Sequence, residues 1–397
     1  MSKGFLLGFF RSKRVFLDHA AGTPVAPEVL RAMIPHLKVG AGNPSSIHKE
    51  GVEAKGVLEA ARGSVARMVG AHVDEIVFTS GGTESNNLAI EGVLRSEAAL
   101  RHGRHVVTTA FEHHSVKRVL LEFEKEGWEV SWVMPDDKGL IDPRAIFAAI
   151  RPDTVLVSVI GGHNEVGTIQ PLSTIAKAIR KARTGAFPYF HTDACQLAGA
   201  VPFSVVSSGV DLASFNSHKM YGPSGAGALF VRRSVALRPV ILGGGQEKGV
   251  RAGTENLPSL FGFAAACELF REEGAVREKR MTRLRDQAIE KLLTIEGSHL
   301  VGDRADRLPG HISISFAGVE AEQLVIELDR VGIAVSSGSA CSTGENTASY
   351  AILALRKSEE EAKGTLRITL GRETRKGDLD RLMRALPPIL KKLRRFS

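Results

Sequence analysis

From residue 75 to residue 233 the chain repeats one unit, a short run rich in β-branched and aromatic residues followed by a stretch of helical period. The runs are EIVFTS, HVVTTA, EVSWVM, TVLVSVI, YFHTDA, DLASFNS and GALFVRR. Between them lie SNNLAIEGVLRSEAAL and PLSTIAKAIRKAR, where apolar residues recur with helical spacing. Alternation of this kind constrains the segment to an α/β fold, with a mainly parallel sheet covered by helices on both faces. The texture changes after about residue 260. A long charge-laced stretch, ELFREEGAVREKRMTRLRDQAIEKLLTI, predicts an amphipathic helix. It leads into HISISF, AEQLVIELDRVGI and LRITLGR, which reads as a smaller α+β domain.

The 397 residues suffice for two domains and a large core. The net charge is +8, with basic residues gathered in REKRMTRLRDQ and KKLRRFS. No nucleic-acid motif accompanies the charge, so it reads as solvated helix faces, with no direct nucleic-acid binding expected. Three cysteines, Cys195, Cys267 and Cys341, are too few and too scattered for a disulfide framework or a zinc site. They favour a reducing compartment, and no metal is expected. The opening MSKGFLLGFFRSKR is too short for a secretory core or a membrane span, and no other segment reaches spanning length. The expectation is a cytoplasmic enzyme.

Open α/β sheets present functional residues at the carboxyl ends of their strands. FTSGGTESNNLAI reads as strand, glycine turn and helix start, with Thr83 placed to cap the helix. Such a turn is either an ordinary capped helix or an anion site made by free N–H groups and the helix dipole. It lacks the Gly-Lys-Ser/Thr of a Walker loop and is not a GxGxxG fingerprint. YFHTDACQ ends a strand with His191, Asp193 and Gln196. One buried Asp is most often a cap or an ion-pair partner, but it can also hold a protonated ring nitrogen. One strand later, FNSHKMYG supplies Lys219. A phosphate turn, an aspartate and a lysine at strand ends of one sheet form the set that pyridoxal 5'-phosphate requires, with Lys219 as its covalent anchor. Cys341 lies among serines and glycines in SSGSACS, a setting for an accessible nucleophile. Beside such a cofactor it suggests transfer of sulfur or selenium.

In order and spacing, VFLDHAAGTPVAPEV, GNPSSIH, FTSGGTESNNLAI, EHHSV, HNEVGTIQP, HTDACQ, SHKMYGPSGAGAL, GGGQEKGVRAGTEN, SSGSACS and LRITLGR resemble the NifS/IscS-type cysteine desulfurases, class-V aminotransferase relatives of the aspartate aminotransferase fold. The resemblance runs over nearly the whole chain. It implies a fold type I architecture, with residues 25–262 as a large cofactor domain and residues 1–24 and 263–397 as a small one carrying the catalytic cysteine. It implies that Lys219 anchors pyridoxal phosphate and moves protons at the substrate α-carbon. Asp193 would pair with the ring nitrogen, Gln196 would contact the ring hydroxyl, and His113 would stack on the ring and relay a proton to or from a thiol. Gly82, Thr83 and His218 would hold the phosphate, together with Thr254 from the second subunit of a homodimer. Asn164 and Arg367 would bind the substrate carboxylate, and Cys341 would take the sulfur of L-cysteine as a persulfide while L-alanine leaves.

The sequence departs from that pattern at Asn216, where a serine usually supplies a hydroxyl to the phosphate; an amide can still donate there. His163 replaces a common asparagine. Cys195 replaces a threonine and reads as a packing residue beside the cofactor, while Cys267 reads as helix core. The resemblance implies a sulfur-acceptor protein, for iron–sulfur assembly or for thiolation of tRNA or a cofactor. A selenocysteine lyase or an aminotransferase on the same fold are the alternatives.

Overall fold

The computed structural model describes residues 14–38, 42–183, 185–338 and 348–395. Cys341 lies outside the described residues. All seven runs singled out above are strands of one seven-stranded sheet. In spatial order these are Ile76–Thr79, Gly227–Val231, Leu212–Asn216, Tyr189–Asp193, Thr154–Ser158, His105–Thr109 and Glu129–Val133. Only Gly227–Val231 runs against its neighbours; every other pairing is parallel. Successive side chains in a strand point to opposite faces. Val107, Val157, Phe190, Ala213 and Phe230 therefore enter one core, while Val106, Leu156, Tyr189, Leu212 and Leu229 enter another on the far face. Burial on both faces explains why these strands read as continuous apolar runs.

Two helices differ from the sequence pattern. SNNLAIEGVLRSEAAL is two helices, Gly82–Leu94 and Glu97–His102. The periodicity runs through the break, but the Ser96 hydroxyl accepts from the Ala99 N–H at 3.2 Å and starts a new helix. The charge-laced helix begins at Leu257, well before Glu268, and runs 36 residues to Leu292. Asn256 caps it and Pro258 occupies its first turn. Its opening residues were masked by an apolar run, Phe263, Ala264 and Ala266, that packs in the large core. The same helix carries Leu284, Ala288 and Ile289 into a separate second core. The expected boundary at residues 262 and 263 thus falls within one continuous helix.

That second core lies on a four-stranded antiparallel sheet, in the order Ser336–Ser337, Thr365–Thr369, His311–Phe316 and Ser298–Leu300. Helices Ala321–Arg330 and Lys376–Leu393 contribute Leu324, Leu328, Leu382 and Leu386 to it. The N-terminal strand Val15–Phe16 pairs in parallel with Ile333–Ala334, and Val15 and Leu17 enter the same core. Among the described residues no helix is long and apolar enough to cross a membrane.

Candidate active site

Six strands of the large sheet share one direction, so their carboxyl ends lie along one edge. A cavity of about 510 Å³ opens there. Gly82, Thr83, His113, Asn164, Asp193, Asn216, His218, Lys219 and Arg367, all singled out from sequence, line it, and Cys195 does too. Gln196 and Thr254 are not among its lining residues. The Gln196 amide donates to the Ala20 carbonyl at 2.8 Å. Thr254 is exposed, in a loop held to the helix Gly82–Leu94 by the Arg251–Glu84 ion pair at 2.7 Å.

At the anion turn the cap is Gly81, and Thr83 is the second residue of the helix, not its cap as the sequence suggested. The reason is crowding. A Cβ on Gly227 would stand 2.6 Å from Gly81 Cα, so the turn lies directly on the neighbouring strand. Glu84 supplies the reciprocal bond, accepting from the Ser80 N–H at 2.9 Å. Thr83 is left exposed on the cavity wall beside the unpaired N–H groups of the first turn. A Cβ on Gly82 would meet Cys195 Sγ at 2.4 Å. Gly82→Ala is therefore expected to destabilise the protein by about 1–3 kcal/mol through overpacking. Adding Cys195→Ala should recover most of the loss, as thermal midpoints of the single and double variants will show.

Asp193 is the last residue of its strand and is buried. Its Oδ2 accepts from Asn86 Nδ2 at 2.8 Å and its Oδ1 from the Cys195 N–H at 2.9 Å. Burial pushes this carboxyl up, but His113, the Cys195 N–H, Lys219 and Asn86 outweigh it and hold the pKa below the ordinary value. The result is an ionised carboxylate in a cavity wall without an Arg or Lys ion-pair partner within 4 Å among the described residues. A protonated ring nitrogen is the partner such a group lacks. With an anion turn, a lysine and this carboxylate converging on one cavity, the donor set fits a phosphorylated pyridine.

Lys219 and His218 are half-buried and follow directly on the strand Leu212–Asn216. The Lys219 N–H donates to Asn216 Oδ1 at 3.3 Å. The His218 carbonyl accepts from the Thr23 N–H at 2.8 Å and the Thr23 hydroxyl at 3.0 Å, which fixes the backbone that carries the lysine. Tyr221 closes the turn with φ of 71°, a conformation disfavoured for a bulky side chain and held here by the Thr23 hydroxyl, which accepts its N–H at 2.7 Å. Burial, then the Lys219 charge, lowers the His218 pKa to about 4, so the ring is neutral.

On the opposite wall the buried Arg367 donates to Asp18 Oδ1 at 2.9 Å and to the Asn164 carbonyl at 3.2 Å. Its Nε has no partner among the described residues. A guanidinium carries five N–H donors, and the carboxylate and the carbonyl take two of them, so it can bind a second carboxylate without moving far. Behind it, His311 Nε2 lies 2.9 Å from the same Asn164 carbonyl. His163 is buried against Phe111, its ring stacked at 4.6 Å and its Nε2 2.8 Å from the Phe111 carbonyl. Cys195 and Cys267 are both buried.

Glu112 lies beneath His113, fully enclosed. Its Oε1 accepts from the Thr109 hydroxyl at 2.7 Å and the Ile160 N–H at 2.8 Å, while Oε2 has no partner among the described residues. Burial pushes its pKa up to about 8, so at neutral pH it holds a proton. The folded pKa exceeds that of the unfolded chain. The stability this proton provides is therefore complete below about pH 4.5 and is lost as pH rises towards 8. Glu112→Gln keeps the neutral form at every pH. Relative to wild type it is expected to gain about 3–5 kcal/mol between pH 5 and pH 8, read as a growing difference in urea midpoints.

Asn86, Ser115 and Asp18 were not picked out in the sequence, and all three take part in the site. Asn86 follows Thr83 by three residues on the helix and shares its face, a spacing that could have revealed it. Asp18 meets Arg367 across 349 positions, and nothing local marks it.

The aminotransferase class-V model matches residues 15–382. The chain is 43% identical over 386 residues to a "Cysteine desulfurase IscS" of Dictyoglomus turgidum, covering 97% of this chain and 96% of that one. Its fold matches a solved "NIFS-LIKE PROTEIN" with TM-score 0.86 at 34% identity, covering 97% and 99% of the two chains. It also matches "SspA in complex with cysteine" with TM-score 0.77 at 33% identity, over 90% and 99%.

Proposed function

The chain belongs to the class-V aminotransferase family and is a pyridoxal-phosphate-dependent cysteine desulfurase, and from that premise we propose which of its residues perform the reaction. The observation that carries the assignment is the convergence of Asp193, Lys219 and the Gly81–Gly82–Thr83 turn on one cavity. When bound, pyridoxal phosphate supplies an electron sink that allows the substrate α-carbon to lose a proton and the side-chain sulfur to leave.

Gly82, Thr83, Asn216 and His218 hold the phosphate, and Thr254 of a second subunit completes that site in a homodimer. Asp193 would hold a proton on the ring nitrogen and His113 would cover the ring, while Gln196 would serve the ring hydroxyl only by giving up its bond to the Ala20 carbonyl. Lys219 Nζ would anchor the cofactor and is the base placed to take the α-proton of L-cysteine. Arg367 and Asn164 orient the substrate carboxylate. The Cys341 thiolate attacks the substrate sulfur: an S–S bond forms, the C–S bond breaks, and the carbon fragment leaves as L-alanine after taking up protons. The persulfide passes its outer sulfur to an acceptor thiol by exchange. The cofactor domain takes in the first half of the helix Leu257–Leu292 and the small domain its end, so the division between them falls within that helix. The scattered cysteines favour the cytoplasm, and the acceptor belongs to iron–sulfur assembly or to thiolation of tRNA or a cofactor.

Alanine released from L-cysteine by the cofactor-loaded protein tests the reading, beside its Cys341→Ala variant. The wild type is expected to yield alanine and a thiol-labile sulfur on the chain, and the variant at least about 10²-fold less of both with the cofactor still bound. Equal sulfur transfer by the variant would remove Cys341 from the mechanism. Activity confined to selenocysteine would point to a selenocysteine lyase.

A further inference from the structure

The helix that begins at Gly82 and the helix that begins at His114 meet under the cavity through a chain of polar contacts set among buried apolar residues. Asn86 Nδ2 lies 2.8 Å from Asp193 Oδ2 and 2.8 Å from Ser115 Oγ. Ser115 Oγ in turn lies 2.7 Å from His113 Nδ1. The direction of each bond follows from the donors present. The Asn86 amide must turn its NH₂ to Asp193, because the reverse would set its oxygen against a carboxylate. Its two hydrogens then go to Asp193 and to Ser115 Oγ. The serine hydroxyl, already accepting, has one hydrogen left for His113 Nδ1. The Ser115 backbone N–H approaches the same nitrogen at 3.2 Å. Two donors aimed at Nδ1 require a lone pair there.

We propose that Asn86 and Ser115 are positioning residues of the desulfurase reaction: they fix His113 as the tautomer protonated on Nε2 and fasten that choice to the Asp193 carboxylate. The inference rests on the reading that His113 serves the cofactor cavity. Burial lowers the His113 pKa, and Lys219 and His114 add to this against the pull of Asp193, so the ring is neutral near pH 7 and its tautomer matters. An Nε2–H donor stabilises anionic sulfur in the cavity. It cannot take a proton from a thiol at that atom without first giving up the bond from Ser115. His113 therefore acts as a hydrogen-bond donor to thiolate, and the α-proton chemistry stays with Lys219. Asn86 Oδ1 is buried without a partner among the described residues, so the amide faces no competing demand there on its oxygen.

The test is ¹⁵N NMR of the histidine rings in the cofactor-free protein, with His113 assigned by the signals missing in His113→Gln. Wild type is expected to show Nε2 protonated and Nδ1 bare. Ser115→Ala should raise the Nδ1–H population several-fold, and Ser115→Thr, which keeps the hydroxyl, should restore the wild-type pattern. In the loaded enzyme Ser115→Ala should lower kcat about tenfold with KM for L-cysteine little changed. A wild-type ring protonated on Nδ1 would overturn the proposal, as would a Ser115→Ala ring with an unchanged tautomer, whatever happens to kcat. Because the NMR readout needs neither cofactor nor turnover, it decides this point even if the catalytic assignments fail.

Discussion

Lys219→Ala is expected to reduce alanine formation from L-cysteine by at least about 10³-fold, since one side chain is asked both to anchor the cofactor and to move the α-proton. Among the described lining residues, His218 and Arg367 are poor substitutes. His218 beside it is neutral and a weak base, its pKa lowered to about 4. Arg367 is tied to Asp18 and to the Asn164 carbonyl, and a guanidinium keeps its proton. The fold should survive the change, because among the described residues the lysine makes no side-chain bond to the turn; its backbone N–H supplies the contact to Asn216. Borohydride treatment separates the two duties. The wild-type chain should retain the cofactor covalently after denaturation, and the variant should lose it while still binding it reversibly through the phosphate turn. A variant that kept the cofactor covalently would place the anchor on another residue.

What could be read from the sequence follows from how local each determinant is. The central strands announced themselves because burial on both faces favours apolar residues at successive positions, as in TVLVSVI, while the edge strand Glu129–Val133 is only partly buried. Lys219 and Asp193 were readable for a related reason: each stands at or just beyond the end of such a run, and their combination with the glycine turn is far more specific than either alone. The Ser96 break was hidden, since the hydrophobic period continues through it and only the cap bond to Ala99 ends the first helix. Thr83 was misplaced because the close approach of Gly227 to Gly81, far apart in sequence, leaves the cap to glycine. The contacts that tune the site are the least local of all. Asn86 reaches Asp193 across 107 positions and Asp18 reaches Arg367 across 349. No periodicity or spacing encodes such pairs; they exist only once the sheet and the N-terminal strand are assembled.

Asp193→Asn separates charge from shape at the same site, and is expected to cost about 10³-fold in kcat with little change in thermal midpoint. The shape argument comes first. An asparagine fills the same volume, and its oxygen can still accept from the Cys195 N–H that now bonds Oδ1 at 2.9 Å. Its NH₂ would then face the Asn86 amide, and a turn of that amide brings the buried, unpartnered Asn86 Oδ1 round to accept it. The pocket thus has a ready acceptor for the new donor, and stability should hold. The charge has no such substitute. Two opposite charges about 4 Å apart interact by roughly 4 kcal/mol at the effective dielectric of a protein site, which corresponds to about three powers of ten in rate. Without the carboxylate, no acid among the described residues would hold a proton on the ring nitrogen, which the cofactor needs in order to act as an electron sink. The Asn86 turn also withdraws the hydrogen now given to Ser115, so His113 should lose its preference for Nε2–H in this variant as well. Full activity in Asp193→Asn would mean that the buried carboxylate serves only the fold; loss of activity with an unchanged His113 tautomer would mean that Asp193 and His113 act independently.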